Sequence, residues 1–330
     1  MLEVREIALP DSANRLRYAD DITPLDTATW QRHSPTAHFV AMRAKTCVGR
    51  CSIWIQGTPE INGRVVGVIG HYAASDSEAA ATLLSHATSR LAESGFSFAV
   101  GPMDGTTWRR YRLLTDRGLE PPFFLEPDNP DQYVTHFTSA GFEPLAHYTS
   151  ALVSDLSNAD LRLPSMLARL EEVGVRIRSI DIGRYEEELA AVYELSVTAF
   201  AGNFLYTPIG RDEFLSMYMP LRSLLRPELV LLGEHDHRLV GFMFGVPNVL
   251  EANRGQPVRT VLAKSLAVHP DYRGIGLGGV LMNLLQQGAH RCGFTRIIHA
   301  LMHETNASQK ISAHNATTIR RYAIYGKGLP

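Results

Sequence analysis

Cysteine is scarce in this chain of 330 residues, which holds only Cys47, Cys51 and Cys292. Three thiols build no disulfide framework, and their spacings match no zinc pattern. An excess of one charge is missing too. Lysine and arginine number 32 against 34 acidic residues, a formal net charge of −2 with no long run of either sign. That balance speaks against nucleic acid or an anionic membrane as the main partner. No window approaches about 18 consecutive apolar residues, which excludes a spanning helix. The opening stretch, MLEVREIALPDSANR, carries charges from its third residue onward and lacks the apolar core of a signal peptide. These absences lead to the expectation of a soluble, cytoplasmic chain without a metal site.

What is present is an ordinary globular composition, 45% apolar and 20% charged, at a length that fits two domains of about 150 residues. The chain also contains itself twice. With Gly95-Phe96 laid over Gly293-Phe294, the preceding residues align without gaps, and His71 falls on His269. Both copies read as strand, turn, helix and a Gly-Phe entering another strand. Leu277, Leu281, Leu284, Leu285 and Gly288 share one helix face in the second copy; Leu83, Leu84, Ala87 and Leu91 do so in the first. Two strand-like runs precede each copy. This order predicts two related α/β domains rather than one large sheet, over residues 1–154 and 175–330. Residues 155–174 read as a polar linker in which Pro164 starts a short helix.

The stretch HPDYRGIGLGGVLM, residues 269–282, concentrates glycine where a strand gives way to a helix. A helix amino terminus offers unpaired N–H groups and partial positive charge, so it attracts anions. Gly274, Gly276, Gly278 and Gly279 let the backbone approach a phosphate, and Arg273 adds a charged contact. Gly274, Gly276 and Gly279 also satisfy GxGxxG, but no acidic residue follows about 20 positions on to grip a ribose. A P-loop ending in Gly-Lys-Ser/Thr is absent.

SLAVHPDYRGIGLGGVLM resembles the coenzyme A signature of the GCN5-related N-acetyltransferase (GNAT) family, written Arg/Gln-x-x-Gly-x-Gly/Ala. Arg273, Gly276 and Gly278 fit it, and LAVHPDY fits the strand and turn before it. The resemblance implies an α/β (α+β) fold: two GNAT-like domains, each a mixed, mostly antiparallel sheet flanked by helices. It covers residues 175–330 in element order. The first copy is matched in degraded form, with NPDQYVTHFTSAGF resembling a later Asn…Gly-Phe motif, as in the tandem members of the family. The implied donor is acetyl-CoA. Main-chain N–H groups of Gly274, Ile275, Gly276, Leu277, Gly278 and Gly279 would hold its pyrophosphate with Arg273 at the mouth, and Leu266 and Val268 its pantetheine arm, with Asn306 beside it.

Opposite the glycine turn, the first copy carries Ser75-Asp76-Ser77-Glu78-Ala79-Ala80. Carboxylates there complement the helix dipole and repel a pyrophosphate, so the first domain is expected to bind no coenzyme A at this place. Its segments 101–111 and 123–130, rich in turns and aromatics, are candidates to line the acceptor surface.

Acetyl transfer needs an unprotonated amine, a stabilised oxyanion and a proton for the leaving thiolate. In the family a tyrosine seven residues after the asparagine supplies that proton, but seven after Asn306 is Ala313. Tyr322, His314 and Ser308 are the substitute candidates, with water as the alternative. His303 and Glu304, directly after the strand RIIHALM, are candidate bases; Glu304 also suits a helix start. Lys264 and Ser265 are read on opposite faces of their strand, so that only one points toward substrate. For the acceptor, residues 200–228 supply Phe204, Tyr206, Glu213 and Tyr218 as a candidate pocket, while Phe214, Met217 and Leu221 read as core. No charged cluster singles out a polyamine or a phosphorylated substrate. The expected partner is therefore a small-molecule or peptide amine, with no nucleic acid and no membrane; a homo-oligomer stays open. The rival readings are a non-catalytic acyl-CoA-binding protein and a nucleotide-binding module.

Overall fold

The computed structural model describes every residue except 1, 9–12, 14, 158–159 and 306–315. Asn306, Ser308 and His314 lie outside the described residues. In the amino-terminal half, β1 (Leu2–Glu6), β2 (Arg17–Tyr18), α1 (Thr27–His33), β3 (Ala37–Arg43) and β4 (Thr46–Trp54) come first. A small hairpin of β5 (Glu60–Ile61) and β6 (Arg64–Val65) leads to β7 (Gly67–Ala74), α2 (Ser77–Glu93) and β8 (Phe98–Gly101). Then follow β9 (Leu113–Asp116), α3 (Gln132–Ser139), β10 (Glu143–Val153) and α4 (Leu163–Glu172). The carboxyl-terminal half opens with β11 (Arg176–Ser179), α5 (Tyr185–Ala199), α6 (Arg211–Tyr218), β12 (Val230–His235), β13 (Arg238–Pro247) and α7 (Leu250–Asn253). It closes with β14 (Thr260–Val268), α8 (Leu277–Arg291), β15 (Arg296–His303) and β16 (Thr317–Gly328).

The repeated unit is visible as β7–α2–β8 and β14–α8–β15, each with its two strands parallel. Both helices form because apolar residues recur at helical spacing and sink into the sheet. Leu83, Leu84, Ala87 and Leu91 of α2 are wholly buried, as are Val280, Leu281 and Leu285 of α8. Each such side chain contributes about 1.5–3 kcal/mol of transfer free energy. Leu284 lies at the edge of its face, half-buried. Pro164 falls in the first turn of α4, whose free N–H positions tolerate it.

Two separate sheets, however, are not what the chain builds. The strands run in one 14-stranded sheet ordered β1-β3-β4-β7-β8-β16-β10-β15-β14-β13-β12-β11, with β2 and β9 attached beside it. The halves exchange their last strands. β10 leaves the first half to pair with β15, and β16 returns to lie between β8 and β10. Each half's sheet is mixed and mostly antiparallel, but neither has a free edge where they meet. Around the second half's portion, α4 and α8 cover one face and α5 and α6 the other, each over its own apolar cluster.

Candidate functional site

β14 and β15 run parallel from Thr260 opposite Arg296 to Ala263 opposite His299, and no further. Beyond that point the strands part. β13 pairs Phe244 with Ser265 but Gly245 with Ala263, leaving Lys264 as the extra residue of a β-bulge. The bulge breaks the period of two, so Lys264, Ser265 and Leu266 all reach the gap. Reading Lys264 and Ser265 on opposite faces, with only one toward substrate, is corrected by this irregularity.

His269 N donates to Val240 O at 2.8 Å, so the alternation of an antiparallel ladder turns the main chain of Leu266 and Val268 away from β13. Their polar groups are presented to the opened gap. These are the two positions that the resemblance assigns to the pantetheine arm.

At the other end of the gap, Gly274 and Gly276 have φ of +84° and +91°, and a Cβ built on either meets nothing within 4 Å. Gly276 precedes the 15-residue α8 without a side-chain cap. The turn is therefore an open cradle of main-chain N–H groups, a fit for a diphosphate. Leu277 is buried and fills space against Gly233 and Gly241, so it offers only its amide. Gly278 and Gly279 lie in the same first turn, beside the half-buried Ile275. Arg273 is exposed, its Nη2 donating to Ala199 O at 3.0 Å across the cleft.

The corresponding turn in the first half is closed twice over. Asp76 caps α2 by accepting from Ala79 N at 2.9 Å and pairs with Arg43 at 2.7 Å. After Val68 and Val100 the strands β7 and β8 stop pairing, but Met103 N donates to Ile69 O at 2.8 Å and fills the space. A side chain at Gly70 would collide with the Met103 carbonyl. Nearby, ligand-type atoms of His33, His71 and Asp104 lie within 4.8 Å of one another. The ring nitrogens of the two histidines bond to each other at 2.8 Å. Burial and neighbouring Arg50 and Arg109 hold His71 well below its ordinary value, a surrounding that opposes a cation.

The gap between β14 and β15 opens into a cavity of about 870 Å³ that reaches both faces of the sheet. Met282 and His299 line it on the α8 side, and Tyr185, Val192, Phe200, Phe214 and Tyr218 under α5 and α6. Phe214, Met217 and Leu221, which read as core, form part of this wall. A polar end lies where the first half contributes Arg110, Tyr111, Arg112 and Glu126. Parts of segments 101–111 and 123–130, residues 107–111 and 125–128, thus line the cavity. Trp108 seats its ring among Phe200, Tyr206 and Phe214, and its Nε1 donates to Thr207 O at 2.9 Å.

Of the predicted acceptor residues, Phe204, Tyr206 and Tyr218 line the cavity. Glu213 does not: Arg109 holds it at 2.7 Å, pinning the first-half loop to α6. Of the predicted catalytic residues, His303 lines the cavity between Tyr148 and Phe204. Its Nδ1 accepts from Thr305 N at 3.1 Å, while its buried Nε2 has no hydrogen-bond partner among the described residues. Burial lowers the pKa of this imidazole, opposed by Glu304. Glu304 is turned away, accepting from His147 N at 3.1 Å. Tyr322 is enclosed; its hydroxyl donates to Glu126 at 2.7 Å and stands 3.2 Å from Ser150 Oγ.

Lys264 was passed over by sequence reasoning as a base. Its Nζ donates to Leu125 O at 3.2 Å. Burial, reinforced by Arg112 and opposed by Glu126, lowers its pKa to about 7. A lysine so placed is a proton acceptor near neutrality.

Residues 189–314 match the model of the Acetyltransferase (GNAT) family. A curated relative from Caulobacter vibrioides (strain NA1000 / CB15N), named bacterial ceramide synthase, is 28% identical over 269 residues, covering 75% of this chain and 68% of the relative. The chain is similar in fold to a tandem GNAT protein from the clavulanic acid biosynthesis pathway, at a TM-score of 0.51 and 13% identity over 99% of this chain and 98% of that one. A GCN5-related glucosamine N-acetyltransferase region of a fungal multi-domain β-N-acetylglucosaminidase gives a TM-score of 0.55 and 14% identity, over 99% of this chain and 38% of that longer protein. The likeness to the Acetyltransferase (GNAT) family thus falls on residues 189–314, the segment that spans the parted strands and the open glycine turn.

Proposed function

We propose that this protein is an acyl-CoA-dependent N-acyltransferase that moves a long acyl chain onto an amine by direct attack in a ternary complex. One observation carries the reading: the parted strands lead into an aromatic-lined cavity of about 870 Å³, near the top of the range for small-molecule sites, about 300–1,000 Å³. The acetyl group expected from the sequence would occupy a small part of it. The Caulobacter relative's name agrees, since a ceramide is a long-chain amino alcohol carrying an amide-linked acyl chain.

In this reading residues 175–330 carry the active site and residues 1–154 bind no coenzyme A, lending instead the polar wall. The amides from Gly274 to Gly279 hold the diphosphate, and the main chain of Leu266 and Val268 steadies the thioester arm. Lys264 takes the proton of the attacking amine as the N–C bond forms and the C–S bond breaks; the thiolate is protonated from water. His303 Nε2 hydrogen-bonds the reacting groups.

Free-thiol release with acetyl-, octanoyl- and palmitoyl-CoA, each against small and long-chain amines, tests this. Palmitoyl-CoA with a long-chain amine is expected to exceed acetyl-CoA at least about tenfold, the scale of a few well-placed methylenes. Gly276→Glu is expected to abolish the release and the thermal stabilisation by acyl-CoA. Fastest turnover with acetyl-CoA refutes the long-chain donor; release that no amine accelerates refutes the transferase.

A further inference from the structure

Arg112 is 7% exposed, yet among the described residues it forms no ion pair. Its Nη1 reaches Leu301 O at 3.4 Å, and its Nε has no hydrogen-bond partner among the described residues. The guanidinium lies 4.0 Å from the ring centre of Tyr111 and 4.2 Å from that of Tyr148. The backbone at Arg112 is held at φ +67°, its N–H donating to Pro102 O at 2.9 Å. A buried guanidinium ordinarily has a carboxylate, and aromatic faces replace only part of the lost hydration.

Acids at the same end of the cavity are already engaged. Glu126 accepts from Arg320 at 2.9 Å and from Tyr322 at 2.7 Å, and Asp128 pairs with Arg117 at 2.6 Å. Arg110 donates to the Asp128 carbonyl and faces the buried Asp104, and Lys264 donates to the Leu125 carbonyl. At this end of the cavity the Arg112 guanidinium thus has no carboxylate partner among the described residues. The glycine turn at the start of α8 belongs to the apolar cluster of one face, whereas Trp108 and Phe123, which flank this end of the cavity, belong to that of the other.

We propose that Arg112 receives a carboxylate or phosphate carried by the acceptor, so that the enzyme's amine substrate is anionic. The inference rests on the N-acyltransferase reading for the identity of the ligand as acceptor. The geometry then sets the amine toward Lys264 and the anion toward Arg112, both at the mouth of the parted strands.

Three matched acceptors distinguish the sources of charge: a long-chain 2-amino alcohol, its O-phosphate, and a 2-amino acid of the same chain length. With palmitoyl-CoA, one of the two anionic amines is expected to exceed the neutral one in kcat/KM by at least about tenfold, the scale of one charge-assisted hydrogen bond. Arg112→Met is expected to bring that ratio to about one, and Arg112→Lys to leave an intermediate value. A neutral amine preferred by the wild type overturns the inference. So does an equal loss for all three amines in the variants, which would assign Arg112 to the transition-state oxyanion. Titration calorimetry with octyl phosphate, octanoate and octanol needs no turnover. Binding of an anionic ligand that weakens at least tenfold in Arg112→Lys supports the site even if no amine is acylated; octanol binding as tightly as both anions refutes it.

Discussion

Lys264 shows what one residue gains from its neighbours. In the sequence it is a lysine inside a strand, and nothing local marks it, because a bulge is defined by the register of the partner strand, here the shift between Phe244 and Gly245. Glycine was different: Gly274 and Gly276 were legible because few other residues adopt their positive φ without a cost of about 1–2 kcal/mol. Phe214, Met217 and Leu221 pack in the apolar cluster under α5 and α6, as their spacing predicts, and the same stripe also borders the cavity, which periodicity does not reveal. With burial and Arg112 lowering Lys264 to about 7, the side chain accepts a proton only above that pH. The value of kcat/KM, which reports the free enzyme, is therefore expected to rise with pH through about 7. Arg112, Glu126, His299, His303, Tyr111 and Tyr148 line the same cavity and set its surroundings. Lys264→Met is expected to remove this limb and to lower kcat by about 10²–10⁴, the usual contribution of a positioned base. In the unfolded chain the lysine keeps its proton up to about 10.4, so below that pH the native state is penalised, most fully below about 7. Lys264→Met should then raise the thermal midpoint at pH 6. A variant that keeps both the limb and the rate removes Lys264 from the chemistry.

At the scale of elements, the repeat of strand, turn and helix was readable, and so was the contrast between its two helix starts. Gly276 opens α8 without a side-chain cap, whereas Asp76 caps α2 and is itself paired with Arg43. What the pattern did not reveal is the second closure, because Met103 docks against Ile69 from a turn whose path no periodicity encodes. These two closures make different predictions. Asp76→Ala removes the cap and is expected to cost about 1 kcal/mol, within the range of about 0.5–2 for such caps. It should not create a second coenzyme site, since the space between β7 and β8 stays filled. Calorimetric titration of acyl-CoA should give one site per chain before and after the change. A stoichiometry of two in the variant would show that the carboxylate alone excludes the ligand.

Over the whole molecule, the order of elements was legible and the pairing of the last strands was not. β10 and β16 stand in corresponding places in the two halves, and a period-two pattern specifies a buried face without naming the neighbour. The exchange is visible only in space, where β16 runs between β8 and β10. Its consequences reach the site. Arg320 of β16 is wholly buried against Glu126 of the first half at 2.9 Å, and Tyr322 bonds the same carboxylate. The polar wall is therefore assembled from both ends of the chain, and neither residues 1–154 nor 175–330 holds all of its own sheet partners. Such an arrangement predicts one cooperative unfolding transition rather than two. Expressed alone, each half should lack ordered tertiary structure by near-ultraviolet circular dichroism, while co-expression should restore it. Arg320→Met leaves Glu126 buried and unpaired, a loss of about 3–5 kcal/mol, and should lower the single transition as a whole. Two calorimetric transitions in the wild type, with only one moved by Arg320→Met, would mean that the halves hold their stability separately in spite of the shared sheet.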